Sequence, residues 1–200
     1  PDHLYGGKAP HELARHFTKS PAIHITDTIF PGTCKINEEK FEIISLPGHS
    51  PGQIGIATCE RVCYLGDALF SEEKIAKYDL PFLFDIAAQL ETYQTLSHLD
   101  YDYFVLGHAD QVYDREQLQH LINVNRSHLQ EYIDLAGEIL NQPKTREELL
   151  EEISILKDLQ LDYKEYYFSL STIGAIITYL YDKKLLVYLV ENGKLYYYIK

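Results

Sequence analysis

The pattern of apolar residues predicts four strands and two helices in the first 140 positions. Short runs rich in β-branched or aromatic residues, bounded by Gly, Pro or polar turn residues, are typical of strands. Apolar residues that recur every three or four positions between 86 and 96 indicate a helix. The strands are predicted at residues 41–46, 53–58, 61–65 and 103–106.

Two helix-start signals support these assignments. Asp85 stands directly before the helix at 86–96 and can act as its N-cap. Asp114 and Gln117 have the spacing of a capping box, which opens a long helix that runs to about Leu140. Because strands and helices alternate, we assign this part of the chain to the α/β class.

The character of the chain changes at residues 141–143, where Asn-Gln-Pro interrupts the helical pattern. We place a domain boundary there, which gives one domain at residues 1–140 and a second at residues 143–200.

The second domain is predicted to contain two helices and a hairpin. Thr145 and Glu148 form another capping-box pattern, and a helical apolar stripe covers residues 170–180. Asn192-Gly193 between two apolar runs predicts a type I′ turn, which needs positive φ at both central residues. Helices followed by a hairpin describe a winged-helix-like unit.

Composition and charge narrow the classes of protein that fit. The chain has 200 residues, 46% apolar and 24% charged, as in an ordinary globular protein. Its net charge of −12 argues against nucleic acids and anionic membranes as partners, because like charges oppose encounter. The sequence shows no run long enough for a membrane span and no signal peptide.

The cysteines and the start of the chain give two further expectations. Cys34, Cys59 and Cys63 are an odd number without a CxxC pair, which favours reduced thiols and a cytoplasmic location. The chain begins at Pro1 and contains no methionine. We therefore expect either a piece of a longer protein or modified methionines left out of the sequence.

Three short motifs each place one potential metal ligand just past a predicted strand. They are Pro-Gly-His-Ser-Pro-Gly with His49, Leu-Gly-Asp with Asp67, and Leu-Gly-His with His108. A neighbouring Gly lets the backbone turn tightly, and loops held by a rigid sheet often bear catalytic groups. Imidazole and carboxylate ligands suit zinc, and also iron or manganese. A single Gly-His or Gly-Asp is more often a simple turn, so the argument rests on three in order.

The order of these motifs resembles the later metal-binding motifs of the metallo-β-lactamase superfamily. That family opens its site with His-x-His-x-Asp-His, often followed by Gly-Gly, and residues 1–7 here read Pro-Asp-His-Leu-Tyr-Gly-Gly. They match the tail of the motif, without its first two histidines. The resemblance covers residues 1–140 and implies an αββα sandwich that lacks its N-terminal strands.

The resemblance implies a role for each matching residue. His49 would join the two absent histidines around one divalent metal ion, while Asp2, His3 and His108 would hold a second. Asp67 would bridge the two ions, which we expect to be zinc, with iron or manganese as alternatives. Asp2 would also orient the nucleophilic water. Because two ligands are absent, we expect a longer parent protein or a partner segment, low activity of this piece alone, and an open sheet edge with an exposed core.

These residues predict a metal-dependent hydrolase of an ester-like bond in a small molecule: a thioester, a lactone or a phosphodiester. The glyoxalase II branch uses basic residues in a C-terminal helical region, which is neutral or acidic here. The nuclease branch carries an inserted domain, for which there is no room between Asp67 and His108. A diiron redox protein of the flavodiiron kind and a non-catalytic scaffold on the same fold are the alternatives. The two residues before Pro1 would discriminate, since His-x-His favours zinc and His-x-Glu favours iron.

The C-terminal unit is interpreted as a docking or homodimerisation element that also covers the active-site cleft. A winged helix can bind DNA, but residues 143–200 contain eight basic and nine acidic residues, and the helix at 169–181 has no basic residue. Nine of the 17 tyrosines lie in this unit, where packing is their commoner use. A small winged-helix tail also occurs in the lactamase-β-2-like branch of the superfamily, which this layout resembles.

The remaining histidines lie in no motif, and packing or solvation is their expected role. His24, in the strand-like stretch 22–25, could line the rim of the site, and Tyr78 and Asp79 occupy a region that shapes the substrate pocket in this family. The others are His11, His16, His98, His120 and His128.

Overall fold

The computed structural model describes residues 2–17, 24–109 and 111–200, and its centre is a six-stranded sheet. The strands are β1 (Gly32–Ile36), β2 (Glu39–Ser45), β3 (Ile54–Ala57), β4 (Val62–Gly66), β5 (Tyr103–Leu106) and β6 (Val112–Asp114). They lie side by side in chain order, and all neighbours are antiparallel except β4 and β5. That pair is parallel because helices between the two strands return the chain to the same end of the sheet.

Seven helices and a hairpin complete the described part of the chain. The four strands predicted from sequence correspond to β2, β3, β4 and β5, whereas β1 and β6 were not predicted. The helices are α1 (Asp2–Tyr5), α2 (His11–Arg15), α3 (Glu72–Tyr78), α4 (Ile86–Ser97), α5 (Arg115–Ile139), α6 (Arg146–Leu156) and α7 (Tyr163–Asp182), and the hairpin consists of β7 (Leu186–Glu191) and β8 (Lys194–Ile199). Of the helices, α4 and α5 match the predictions for the first part, and α1 to α3 were not predicted.

Helix-start signals mark the helices as the sequence predicted. Asp85 accepts a hydrogen bond from the backbone of Ala88, and Asp114 and Thr145 both form complete capping boxes. A third capping box, at Asp162, was missed. It starts α7 well before the apolar stripe at 170–180, so this helix is longer than predicted.

One face of the sheet is covered by helices. Cys63 and Leu65 of β4 and Phe104 and Leu106 of β5 are buried in the same hydrophobic core as α4 and α5. Alternate residues point to opposite faces of a strand, so these four share the helix side. This burial holds β4 and β5 in place and thereby fixes the loops that follow them.

The opposite face of the sheet is partly open. The strand register places Tyr64, Val105 and Val112 next to one another on this face. Tyr64 is 49% exposed and Val112 is 54% exposed, although both are large apolar side chains. The open sheet edge and exposed core expected from the sequence stay a prediction.

The C-terminal helices pack on α5 and on each other. Ile153 of α6 and Ile173 of α7 are fully buried, in the same hydrophobic core as Leu121 of α5. The hairpin turns at Asn192 (φ 50°) and Gly193 (φ 77°), the positive φ values that the Asn-Gly pair predicts. The order helix, helix, hairpin is therefore as expected, while the boundary at 141–143 and the winged-helix comparison stay predictions.

The hairpin leaves apolar side chains exposed. Tyr188 is 58% exposed and Val190 is 63% exposed, both on β7. A docking or dimerisation role for this unit stays a prediction, because an exposed apolar strand is compatible with several partners.

The three cysteines are free thiols, as expected. Burial raises the pKa of Cys63 to about 12, so this thiol is protonated and unreactive near neutral pH. No helix in residues 2–17, 24–109 and 111–200 has the length and apolar character needed to cross a bilayer.

Candidate metal centre

The three predicted ligands that follow strands meet at one edge of the sheet. His49 lies in the loop after β2, Asp67 comes directly after β4, and His108 follows β5. Because β2 and β4 are both antiparallel to β3, they run in the same direction, and β5 is parallel to β4. The carboxyl ends of all three strands therefore point to the same edge, and their loops converge there.

The Asp67 carboxylate lies between the two imidazoles. Its Oδ2 is 3.7 Å from His49 Nε2, and its Oδ1 is 3.6 Å from His108 Nε2. Both distances exceed that of a hydrogen bond, so the rings face the oxygens without bonding them directly. Each carboxylate oxygen is thus paired with one ring nitrogen, an arrangement in which Asp67 could bridge two cations.

The His49 ring is held in one orientation by its other nitrogen. His49 Nδ1 lies 2.9 Å from the carbonyl oxygen of Phe82. A carbonyl can only accept, so Nδ1 must carry the proton and donate it. In the neutral ring the lone pair is then on Nε2, which faces Asp67 as a metal ligand requires, and a carbonyl partner of this kind is common for ligating histidines.

The carboxylate of Asp67 fits closely against the backbone of the next loop. A Cβ at Gly107 would lie 2.7 Å from Asp67 Oδ1. Any side chain at this position would displace the carboxylate or the loop that carries His108. The Gly of Leu-Gly-His is thus needed for close approach of the two loops.

The loop after Asp67 is held by two buried amides that no sequence motif had indicated. Gln89 of α4 donates to the carbonyl of Ala68 at 2.8 Å. Asn125 of α5 accepts from the Phe70 N–H at 3.0 Å and donates to the Phe70 carbonyl at 2.8 Å. Both side chains are almost fully buried, so these bonds are shielded from water and hold the loop firmly.

Replacing Asn125 with Ala is expected to lower the free energy of unfolding by about 2–4 kcal/mol. The change leaves the N–H and the carbonyl of Phe70 without hydrogen-bond partners. Each unsatisfied buried group costs about 1–3 kcal/mol, offset in part by local rearrangement. Asn123→Ala is the matched control, because Asn123 lies on the same helix but is exposed. Urea denaturation of both variants tests this, and equal losses in the two would contradict the role of Asn125.

Asp2 and His3 lie on α1, and within the described part of the chain neither forms a hydrogen bond or ion pair with His49, Asp67 or His108. The Asp2 carboxylate accepts a hydrogen bond from the Ala9 N–H at 2.7 Å. In the described ranges, no ion pair or hydrogen bond joins Asp2 or His3 to Asp67, and no three His, Cys, Asp or Glu side chains are gathered tightly enough to hold one ion. The predicted roles of Asp2 and His3 stay predictions, and Pro1 falls outside the described residues.

A cleft of about 820 Å³ opens beside the three ligands. One wall is aromatic: the rings of Phe70 and Phe82 lie 5.9 and 5.4 Å from the His49 ring, and Phe168 of α7 packs on Phe82 at 5.4 Å. Tyr78, Asp79, Lys74, Lys164 and Asp158 also line the cleft. The C-terminal helix α7 therefore forms part of this cleft, and the lining includes the two residues expected to shape it.

The other histidines have structural surroundings where they are described. His120 pairs with Glu72 at 2.9 Å on the surface, and His128 contacts the backbone carbonyl of Asp79. His24 is exposed and lies in no strand, while residues 22 and 23 of the predicted strand-like stretch lie outside the described residues. Of these, His128 contacts Asp79, which itself lines the cleft.

Two solved structures share this fold over most of the chain. One is a metallo-β-lactamase family protein from Thermus thermophilus, with a TM-score of 0.72 and 17% identity over 99% of this chain and 62% of that one. The chain has the metallo-β-lactamase fold. A β-lactamase domain protein from Burkholderia ambifaria gives a TM-score of 0.69 and 16% identity, over 87% of this chain and 52% of that one.

The metallo-β-lactamase fold expected from the motif order is thus confirmed. No family model and no curated protein matches the sequence. The chain spans 62% and 52% of the lengths of the two solved structures. At these identities the likeness extends to the fold, and the activity has to be argued from the site.

Proposed function

We propose that this chain is part of a metal-dependent hydrolase of the metallo-β-lactamase superfamily that uses two divalent ions. The observation that supports the proposal is the position of Asp67, whose two oxygens each face the Nε2 atom of a different histidine. A hydrogen-bonded surface cluster would bring such groups into direct contact. A bridging carboxylate instead needs the gap that is seen here.

His49, Asp67 and His108 fit part of the ligand set of a dinuclear centre, with Asp67 as the bridging ligand. His49 and one Asp67 oxygen would hold one ion, and His108 and the other oxygen would hold the second. Asp2 and His3 are proposed to complete the ligand set of the second ion, as the superfamily motif implies. Imidazole and carboxylate ligands favour zinc and accept iron or manganese. Ions bound in this way lower the pKa of a shared water and polarise the bond under attack.

The chain's own groups prepare the site for a substrate. The Phe82 carbonyl keeps the His49 proton on Nδ1, so Nε2 stays free for a metal. Phe70, Phe82 and Phe168 present an apolar wall that excludes water from one side of the cleft. Asp2 is proposed to orient the attacking water. We propose an ester-like substrate, a thioester, lactone or phosphodiester, with an apolar group placed against this wall.

Metal content per chain is the first test. Protein purified without chelator is measured by elemental analysis, and hydrolysis of a thioester, a lactone and an aryl phosphodiester is assayed in parallel. Two zinc ions with turnover of one probe are expected in the protein extended at its N-terminus, and one ion or none in the chain as given. Two irons without turnover of any probe would contradict the hydrolase and favour the diiron redox alternative. No metal and no turnover would contradict the hydrolase and favour the alternative of a non-catalytic scaffold.

Replacing Phe168 with Ala is expected to raise KM about tenfold for a thioester with a long apolar acyl chain, because burying an aromatic ring contributes about 1.5–3 kcal/mol. Turnover of a short acetyl thioester is expected to stay near wild type, since its acyl group does not reach the wall. Phe84→Ala is the control, because Phe84 is 46% exposed and lies outside the cleft lining. Equal changes for the long and short probes would contradict this use of Phe168.

A further inference from the structure

The orientation of His49 depends on a short segment between α3 and α4, residues 79–83. Its fourth residue, Phe82, supplies the carbonyl that accepts from His49 Nδ1 at 2.9 Å. Phe82 also packs its ring against the His49 imidazole, with centroids 5.4 Å apart. If this segment moved, the ring would lose the acceptor that selects its tautomer.

One buried hydroxyl on α7 holds this segment on both sides of Phe82. The Leu83 N–H donates to Thr172 Oγ1 at 3.0 Å, and the same oxygen lies 3.2 Å from the Pro81 carbonyl. Thr172 has no exposed surface, although it is a polar residue. Its hydroxyl proton can go to Pro81 or to the Phe168 carbonyl at 3.3 Å. In each case the oxygen accepts from Leu83.

The start of the segment is held separately by α5. His128 Nε2 contacts the backbone carbonyl of Asp79 and lies 3.5 Å from its carboxylate. Asp79 has a positive φ of 49°, a conformation that a non-glycine residue adopts only when its surroundings impose it. The segment is therefore held at one end by His128 and around Phe82 by Thr172, and of these two it is Thr172 that bonds both neighbours of Phe82.

We propose that Thr172 is a positioning residue for His49: it fixes the carbonyl of Phe82 and so keeps the His49 proton on Nδ1 and Nε2 free to bind metal. That His49 Nε2 binds a metal rests on the proposed function, whereas the contacts from Thr172 through Phe82 to His49 do not. The proposed role of Thr172 gives the C-terminal helix α7 a part in building the metal centre, in addition to its contribution to the cleft wall.

The test compares Thr172→Val with Thr172→Ser. Valine has the shape of threonine but leaves the Leu83 N–H without an acceptor, whereas serine restores it. Two-bond ¹H–¹⁵N spectra of metal-free protein report the tautomer, with His49 assigned through His49→Gln. Wild type and Thr172→Ser are expected to show the Nδ1–H form, and Thr172→Val a mixture of tautomers. In cobalt titrations the dissociation constant is expected to rise about tenfold for Thr172→Val alone, in the range seen for outer-shell partners of metal ligands.

Ile176→Val is the control for general destabilisation, because Ile176 is fully buried one turn along α7 and makes no polar contact with the segment. It should lower stability and leave the tautomer unchanged. An unchanged tautomer in Thr172→Val would overturn the proposal. An equal loss of the Nδ1–H form, or of cobalt affinity, in the valine and serine variants would also overturn it. The tautomer is read without metal, so failure of every form to bind cobalt would contradict the proposed hydrolase and leave the test of Thr172 intact.

Discussion

Replacing Asp67 with Asn is expected to lower kcat/KM by at least about a hundredfold and to reduce the metal content from two ions to one or none. Mutation of even the outer-shell partners of metal ligands lowers metal affinity or activity by about 10–100-fold, and the bridging ligand would serve both ions at once. The amide has the same shape as the carboxylate but lacks its charge. The variant would therefore lose the negative charge that partly offsets the repulsion between the two ions.

The control for this change is Asp85→Asn, on the loop that leads into α4. Asp85 caps that helix by accepting from the Ala88 N–H, and Asn caps a helix about as well. The variant removes one negative charge near the site without touching the ligands. Elemental analysis and turnover should therefore match wild type. Full metal occupancy and activity in Asp67→Asn would exclude a bridging role for this residue.

The local pattern of the sequence predicted the elements around the site. The Gly before each candidate ligand is the last residue of β4, the first residue after β5, and the third residue after β2. This combination of an apolar run and a breaker is readable from neighbouring residues. Capping boxes at Asp114 and Thr145 are likewise signals within four residues. Predictions of this kind hold because the physical cause lies within a few neighbouring residues.

The two short strands β1 and β6 were missed because their cause is not local. Strand β6 has three residues and pairs with β5, which alone gives it a strand conformation. Strand β1 has mostly exposed positions, so it shows no apolar run. Helix α3 has an N-cap, Ser71, with two glutamates in its first turn, a signal that was available but short.

The supporting residues of the site could not be predicted from one sequence. Asn125 bonds Phe70 across 55 positions, and Thr172 bonds Leu83 across 89 positions. Asn and Thr inside a helical pattern are ordinary, and only the fold shows which buried backbone groups they satisfy. The sequence thus predicted three candidate ligands that the fold brings together, but none of the contacts that orient them.

Replacing Gly48 with Ala is expected to lower the free energy of unfolding by about 3–5 kcal/mol, since backbone strain and overpacking each cost about 1–3 kcal/mol. Gly48 has φ +140°, and a Cβ there would lie 2.3 Å from the Gln89 side-chain oxygen and 2.6 Å from the Gln89 Cα. Gln89 is fully buried and bonded to Ala68, so it cannot move aside cheaply. Urea denaturation measures the loss.

The same motif supplies the control, because Gly52 has no atom within 4 Å of an added Cβ and is exposed. Gly52→Ala should change stability by less than about 1 kcal/mol. The Gly48 carbonyl also accepts from the N–H groups of Phe84 at 2.9 Å and Asp85 at 3.0 Å, so the loop that carries His49 is tied to the start of α4. Gly48→Ala should therefore also weaken metal binding in whatever fraction stays folded. Wild-type stability in this variant would mean that the loop does not approach α4 as closely as described, and the position of His49 would lose its main support.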